Sequence, residues 1–222
     1  MFCDLVGSTP LAEQLDPEEL REVVRAYQET CTAMIHRFDG YIARYVGDAL
    51  LVYFGYPAAH EDDAQRAVRA GLAIVAALPQ LNARLQQTVG AIHELSLQVR
   101  MGVHTGLVVV GELGGRDYRE AMALGETPNI AARLQGLAQP DTVVISSATY
   151  RLVEGLFECR TLGPQTLKGV STLVEVYQIL GESGIQSRFE VAVSTGLTPL
   201  ILVFDQFTQP RGVANQRFLL RY

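Results

Sequence analysis

Apolar residues recur in this chain in two rhythms, short alternating runs and longer stripes at helical spacing. The run from Met1 to Val6 is apolar except for Asp4 and predicts a strand. Asp16-Pro17-Glu18-Glu19 has the features of a helix start: an N-cap carboxylate, proline at the first position and Glu19 near the free amides. Leu20, Val23, Val24, Tyr27, Cys31, Ile35 and Phe38 continue at helical spacing, and Asp39-Gly40 ends that helix. Tyr41–Val46 and Ala49–Phe54 are apolar, aromatic segments around Gly47-Asp48, a hairpin signal. Glu61-Asp62-Asp63 opens a second helix with acids at its positive end, striped by Ala64, Ala67, Val68, Gly71, Leu72, Val75 and Leu78. Pro79 to Glu94 is polar and weakly patterned, which predicts a loop or a frayed extension.

Strands follow at Leu97–Val103 and Leu107–Glu112, around His104-Thr105-Gly106. Gly114–Asp117 reads as a turn before a shorter strand through Leu124, and Pro128–Leu137 as a helix. Thr142–Ser146, a short helix at Ala148–Val153, Phe157–Leu162 and Val174–Leu180 complete the pattern. The order strand, helix, strand, strand, helix, strand fits an α+β fold. It has a ferredoxin-like βαββαβ core with C-terminal β additions. In such a core the first strand and the hairpin are neighbours, so Asp4 and Asp48 can converge. The expected division is one domain over 1–182, with its first strand clipped, and a truncated or diverged tail over 183–222.

Composition narrows the class. The 222 residues suffice for one full core, and the apolar fraction of 48% is ordinary for a globular protein. No long apolar run predicts a membrane span, and no export signal is visible, so the expected location is the cytoplasm. A formal charge of −6 argues against a general nucleic-acid surface. Cys3, Cys31 and Cys159 are widely spaced and read as small apolar residues.

Asp4 and Asp48 each interrupt an apolar, strand-like setting. A carboxylate there is costly to bury as an anion without a neutralising partner. Two of them suggest a shared cation, and oxygen donors with room for phosphates suit magnesium or manganese.

With these residues in place, the chain resembles the class III nucleotidyl cyclase catalytic domain. The likeness is to bacterial soluble-type adenylyl cyclases, of the kind often fused to an ATPase module. It extends over Met1 to Glu182 and rests on motifs in order. These are Phe2-Cys3-Asp4-Leu5-Val6-Gly7-Ser8-Thr9, Gly47-Asp48, Arg100-Met101-Gly102-Val103-His104-Thr105-Gly106, Asn129-Ile130-Ala131-Ala132-Arg133 and Leu167-Lys168-Gly169.

The resemblance implies a reaction: the ribose 3′-oxygen attacks the α-phosphate of ATP, giving 3′,5′-cyclic AMP and pyrophosphate. It implies Asp4, Leu5 and Asp48 as ligands of two Mg2+ or Mn2+ ions. It implies Asn129 as the ribose-orienting residue and Arg133 as the contact to the α-phosphate. These two are four apart and so share a helix face. Lys168 and Arg100 match cations that bind the phosphates. Arg44 and Met122 stand at the two base-reading positions, where adenylyl cyclases usually carry lysine and Asp or Thr. The family works as a head-to-tail homodimer, with each site shared between protomers. His104 reads as structural packing, and His36, His60 and His93 carry no pattern.

Two other readings stand beside this one. The unusual Arg44 and Met122 fit a catalytically weak nucleotide-binding regulatory module, or a cyclase of guanylate or relaxed purine specificity. A diguanylate-cyclase-like domain shares a related core, but Val46-Gly47-Asp48-Ala49-Leu50 stands where that family carries its hairpin motif.

Overall fold

Asp4 lies on β1 (Phe2–Leu5), a strand of a seven-stranded sheet in a computed structural model of the chain. The structure describes residues 1–88, 96–113 and 120–185, with 111–113 and 120–124 described by backbone alone. In chain order β1 is followed by α1 (Ser8–Gln14), α2 (Pro17–Arg37), β2 (Tyr41–Val46), β3 (Ala49–Tyr53) and α3 (Asp63–Thr88). Next come β4 (Val99–Val103), β5 (Val109–Leu113), β6 (Glu120–Leu124), α4 (Glu126–Leu137) and β7 (Thr142–Ser146). The described part ends with α5 (Ser147–Val153), β8 (Phe157–Gln165) and β9 (Val174–Glu182).

The sheet order is β2-β3-β1-β4-β7-β9-β8, while β5 and β6 form a separate two-stranded ribbon. The first four strands have the order and antiparallel pairing of a ferredoxin-like core. The C-terminal strands attach beyond β4, where β7 runs parallel to it. This is the α+β architecture expected.

Alternation along the strands divides the residues between two faces. Cys3 and Leu5 of β1, Val99, Met101 and Val103 of β4, and Val143 and Ile145 of β7 enter the main core. There they join Val23, Tyr27, Cys31 and Ile35 of α2 and Val68 and Ile74 of α3. Ile130 and Leu134 of α4 pack with Val144, Leu167 and Val176 in a second, smaller cluster. Asp4 and Arg100 occupy the alternate positions, away from the main core.

Helix α2 starts as its sequence dictates. Asp16 Oδ1 accepts from the backbone N–H groups of Glu18 and Glu19, both at 2.9 Å. Glu19 returns a bond to Asp16 N, completing a capping box. Helix α3 takes the extension rather than the loop: it runs past Pro79 to Thr88. The proline removes a hydrogen bond, but Leu78, Leu81 and Leu85 bury on one face across it. Asn82 then clamps the approach to β4, accepting from Leu97 N at 2.8 Å and donating to Leu97 O at 3.1 Å.

Helix α1 is an element the hydrophobic pattern did not predict. Gly7, at φ 71°, turns the chain out of β1, and Leu11 and Leu15 bury one helical turn apart. Helix α4 begins at Glu126, so Pro128 and Asn129 lie inside its first turns. Strand β8 runs to Gln165, past the expected end at Leu162, with register shifts at Glu158/Cys159 and Thr161/Gly163. Strand β1 is short, yet it is paired on both edges, to β3 and along its whole length to β4. The thiols of Cys3, Cys31 and Cys159 are free, the first two fully buried. The turn expected at Gly114–Asp117 and the chain from residue 186 onward lie outside the described residues. Among the described residues no helix is long and apolar enough to cross a membrane.

Candidate functional site

Register brings the first charged pair together. In the β1–β4 ladder Asp4 stands opposite Arg100. Arg100 donates from Nη2 to Asp4 Oδ2 at 3.3 Å, across 96 positions of sequence. The hairpin delivers Asp48. Val46 pairs with Ala49, so Gly47 and Asp48 form a two-residue turn, with Gly47 at φ 64°. Helix α2 steadies this turn: Gln28 Nε2 donates to Gly47 O at 3.3 Å, and Thr32 and Tyr45 hydroxyls meet at 3.1 Å.

Helix α4 closes the site from above. Gly102 of β4 lets it approach, because a Cβ there would lie 2.2 Å from Ala131 O and 2.3 Å from Gln135 N. That approach carries Gln135 to Asp4, where its Nε2 donates to Oδ2 at 3.0 Å.

The electrostatics are those of two acids in one place. Burial, reinforced by the Asp48 charge, holds the Asp4 carboxyl above its usual range, with Arg100 opposing the shift. Among the described residues Asp48 Oδ2 is buried and has no hydrogen-bond partner, and neither has Arg100 Nε. A buried carboxylate oxygen without a donor is costly unless a cation completes it. The donor set therefore fits a hard divalent ion. Among the described residues no group of three or more His, Cys, Asp or Glu side chains is placed to hold a metal. Two carboxylates would thus need backbone oxygen, water and phosphate as further ligands, the pattern that magnesium favours. Leu5 is buried beside Asp4 and has only its carbonyl to offer.

Asn129 and Arg133 are exposed on α4, and Lys168 is exposed between β8 and β9. No side-chain hydrogen bond or ion pair joins any of the three to Asp4 or Asp48 among the described residues. Arg44 is exposed on β2, opposite Leu51 in the hairpin. Met122 pairs with Gly111 in the β5–β6 ribbon, and its side chain lies outside the described residues. Exposed apolar side chains flank these positions: Tyr45 and Val46 at the hairpin tip, and Leu107, Val108 and Val109 leading into β5.

His104 faces a different environment. Its Nδ1 lies 2.7 Å from Ser146 Oγ, and burial lowers its pKa. It lines a cavity of about 290 Å³ with Tyr53, Val103, Thr127 and Ala131, and among the described residues Asp4, Asp48, Arg100, Asn129, Arg133 and Lys168 do not line it. Gln135 was missed by sequence reading. Its signal was its place two residues after Arg133, which gave no hint that the side chain turns toward β1.

The chain is similar to several known proteins. Residues 1–181 match the family "Adenylate and Guanylate cyclase catalytic domain". "Adenylate cyclase 1" of Rhizobium meliloti is 30% identical over 183 residues, covering 82% of this chain and 27% of that protein. The chain thus spans about a quarter of the length of this curated relative. The crystal structure of the adenylyl cyclase CyaB from P. aeruginosa is 30% identical, with a TM-score of 0.70 over 84% of this chain and 92% of that one. The crystal structure of the guanylyl cyclase Cya2 is 29% identical, with a TM-score of 0.75 over 82% and 91%.

Proposed function

The chain belongs to the class III adenylate and guanylate cyclase catalytic-domain family, and from that premise we propose that it converts ATP to 3′,5′-cyclic AMP and pyrophosphate as a homodimer in the cytoplasm. The observation that carries this reading is the unpartnered, buried Asp48 oxygen beside an Asp4 carboxyl raised by burial and by Asp48. Class III cyclases are metal-dependent. Asp4, Asp48 and the Leu5 carbonyl would hold two Mg2+ or Mn2+ ions. Bound there, divalent ions neutralise triphosphate charge and make the ribose 3′-hydroxyl more acidic.

The remaining groups act on the nucleotide. Arg100 lies at the carboxylates and has an unpaired Nε, so its guanidinium can turn to phosphate oxygens. Lys168 adds a mobile charge for the terminal phosphates. Asn129 orients the ribose, and Arg133 meets the negative charge that builds on the α-phosphate. Arg44 and Met122 border the purine. Among the described residues Asn129, Arg133 and Lys168 are exposed and make no bond to Asp4 or Asp48 within one chain, which supports a site completed by a second copy. So do the exposed Tyr45, Val46, Leu107 and Val109, which a second copy would cover. The same resemblance implies an ATPase or regulatory module as a further partner.

A second reading concerns the base. Arg44 and Met122 differ from the usual adenine-reading pair, and the likeness extends to a guanylyl cyclase. This favours guanylate or relaxed purine specificity over a strict preference. The test is turnover of ATP against GTP with Mn2+ or Mg2+, alongside solution mass. Cyclic AMP from a dimer, lost in Asp4→Ala and Asp48→Ala, is the expected result. No cyclic product from a folded dimer with either nucleotide would overturn the enzyme reading.

A further inference from the structure

Among the described residues Asp4 receives two donors, and both fall on the same oxygen. Arg100 Nη2 and Gln135 Nε2 meet Oδ2 at 3.3 and 3.0 Å. Neither bond touches Oδ1. The two donors differ in kind. Arg100 is charged and, in the cyclase reading, is also wanted by phosphate oxygens. Gln135 is neutral, so it can fix the carboxylate without cancelling the charge that a dication needs.

Gln135 also stands on a rigid mount. Leu134 beside it is fully buried, and Gly102 lets the α4 backbone rest directly on β4. The amide is therefore offered to Asp4 from a fixed helix. If Arg100 turns to a nucleotide, this bond remains to keep Oδ2 turned toward α4.

We infer that Gln135 is a positioning residue: its amide orients Asp4 from α4 and leaves Oδ1, with Asp48, for a divalent cation. This inference rests on the cyclase reading above. Partners that orient a metal ligand typically change metal affinity or activity by about 10–100-fold when removed.

The experiment measures Mn2+ binding to the purified chain without nucleotide, by the electron paramagnetic resonance signal of free Mn2+. The proteins compared are the unmodified chain, Gln135→Met and Asp48→Asn. Methionine keeps the length of glutamine and loses the donor. Gln135→Met is expected to bind Mn2+ about tenfold more weakly or worse. In turnover assays its half-saturating Mn2+ concentration should rise by a similar factor. At saturating Mn2+ its nucleotide KM should stay within about twofold, a split that general loosening of α4 would not give. Should Gln135→Met fail to fold, Gln135→Ser is judged by the same criteria. Unchanged Mn2+ affinity in a folded variant overturns the inference and leaves the cyclase reading intact. If the unmodified chain binds Mn2+ no better than Asp48→Asn, the two-carboxylate reading falls, and this inference falls with it.

Discussion

A Cβ on Gly102 would stand 2.2 Å from the carbonyl oxygen of Ala131, so β4 and α4 meet backbone to backbone. Gly102→Ala must therefore lift α4 from the sheet. Overpacking of this kind typically costs about 1–3 kcal/mol. In a chain of this size that is a fall in melting temperature of roughly 2–12 °C. Cyclase activity should fall further than stability, because Gln135, Asn129 and Arg133 all move with the helix. Thermal melts and turnover on the same sample check both.

Asp48→Asn should separate stability from chemistry. It removes a negative charge that lies beside Asp4 and has no hydrogen-bond partner at Oδ2. The metal-free melting temperature is expected to hold or rise, since like-charge repulsion is relieved. The stabilisation produced by added Mn2+ should disappear, and cyclic product with it. A melt series with and without Mn2+ reads all of this.

His104 gives the fold an acid-sensitive point. Burial lowers its pKa, so the folded state binds its proton less readily than the unfolded chain does. Its contribution to stability is full above the ordinary histidine pKa of about 6.5 and declines as pH falls below that value. Melting temperature should drop between pH 7.5 and 5. His104→Gln should flatten that part of the profile.

Complementation tests the shared site. Asp48→Asn and Arg133→Ala chains should each be inactive. In a mixture that exchanges subunits, half of the dimers pair one of each, and each such dimer has one intact site. About a quarter of the unmodified activity is then expected. No recovery after verified exchange would place both residues in one protomer's site.

Local chemistry was legible where a few neighbouring residues decide the outcome. The capping box at Asp16, the Gly47-Asp48 turn and the stripe of α2 all read directly from spacing. The ferredoxin-like order followed from them, and with it the meeting of Asp4 and Asp48. What the sequence left open or unread was decided by packing. The run after Pro79 allows a loop or an extended helix, and burial of Leu81 and Leu85 selects the helix. Ser8-Thr9-Pro10 held the start of α1, but only the burial of Leu11 and Leu15 gives that helix its place. The grip of Gln135 on Asp4 spans 131 positions and depends on a side chain that Gly102 lacks. No window of sequence contains that relationship.

Cys3 and Asp4 are adjacent in sequence and belong to opposite worlds. The thiol is fully buried, 3.4 Å from the Tyr27 hydroxyl, while the carboxylate looks to Arg100 and Gln135 on the other face. A slip of β1 by one residue would exchange them, driving an acid into the main core and turning the thiol toward Arg100 and Gln135. Such a molecule would fail to fold before it could fail to react. Correct strand alignment thus serves as an inspection step: a chain that passes it already presents its carboxylate on the working side.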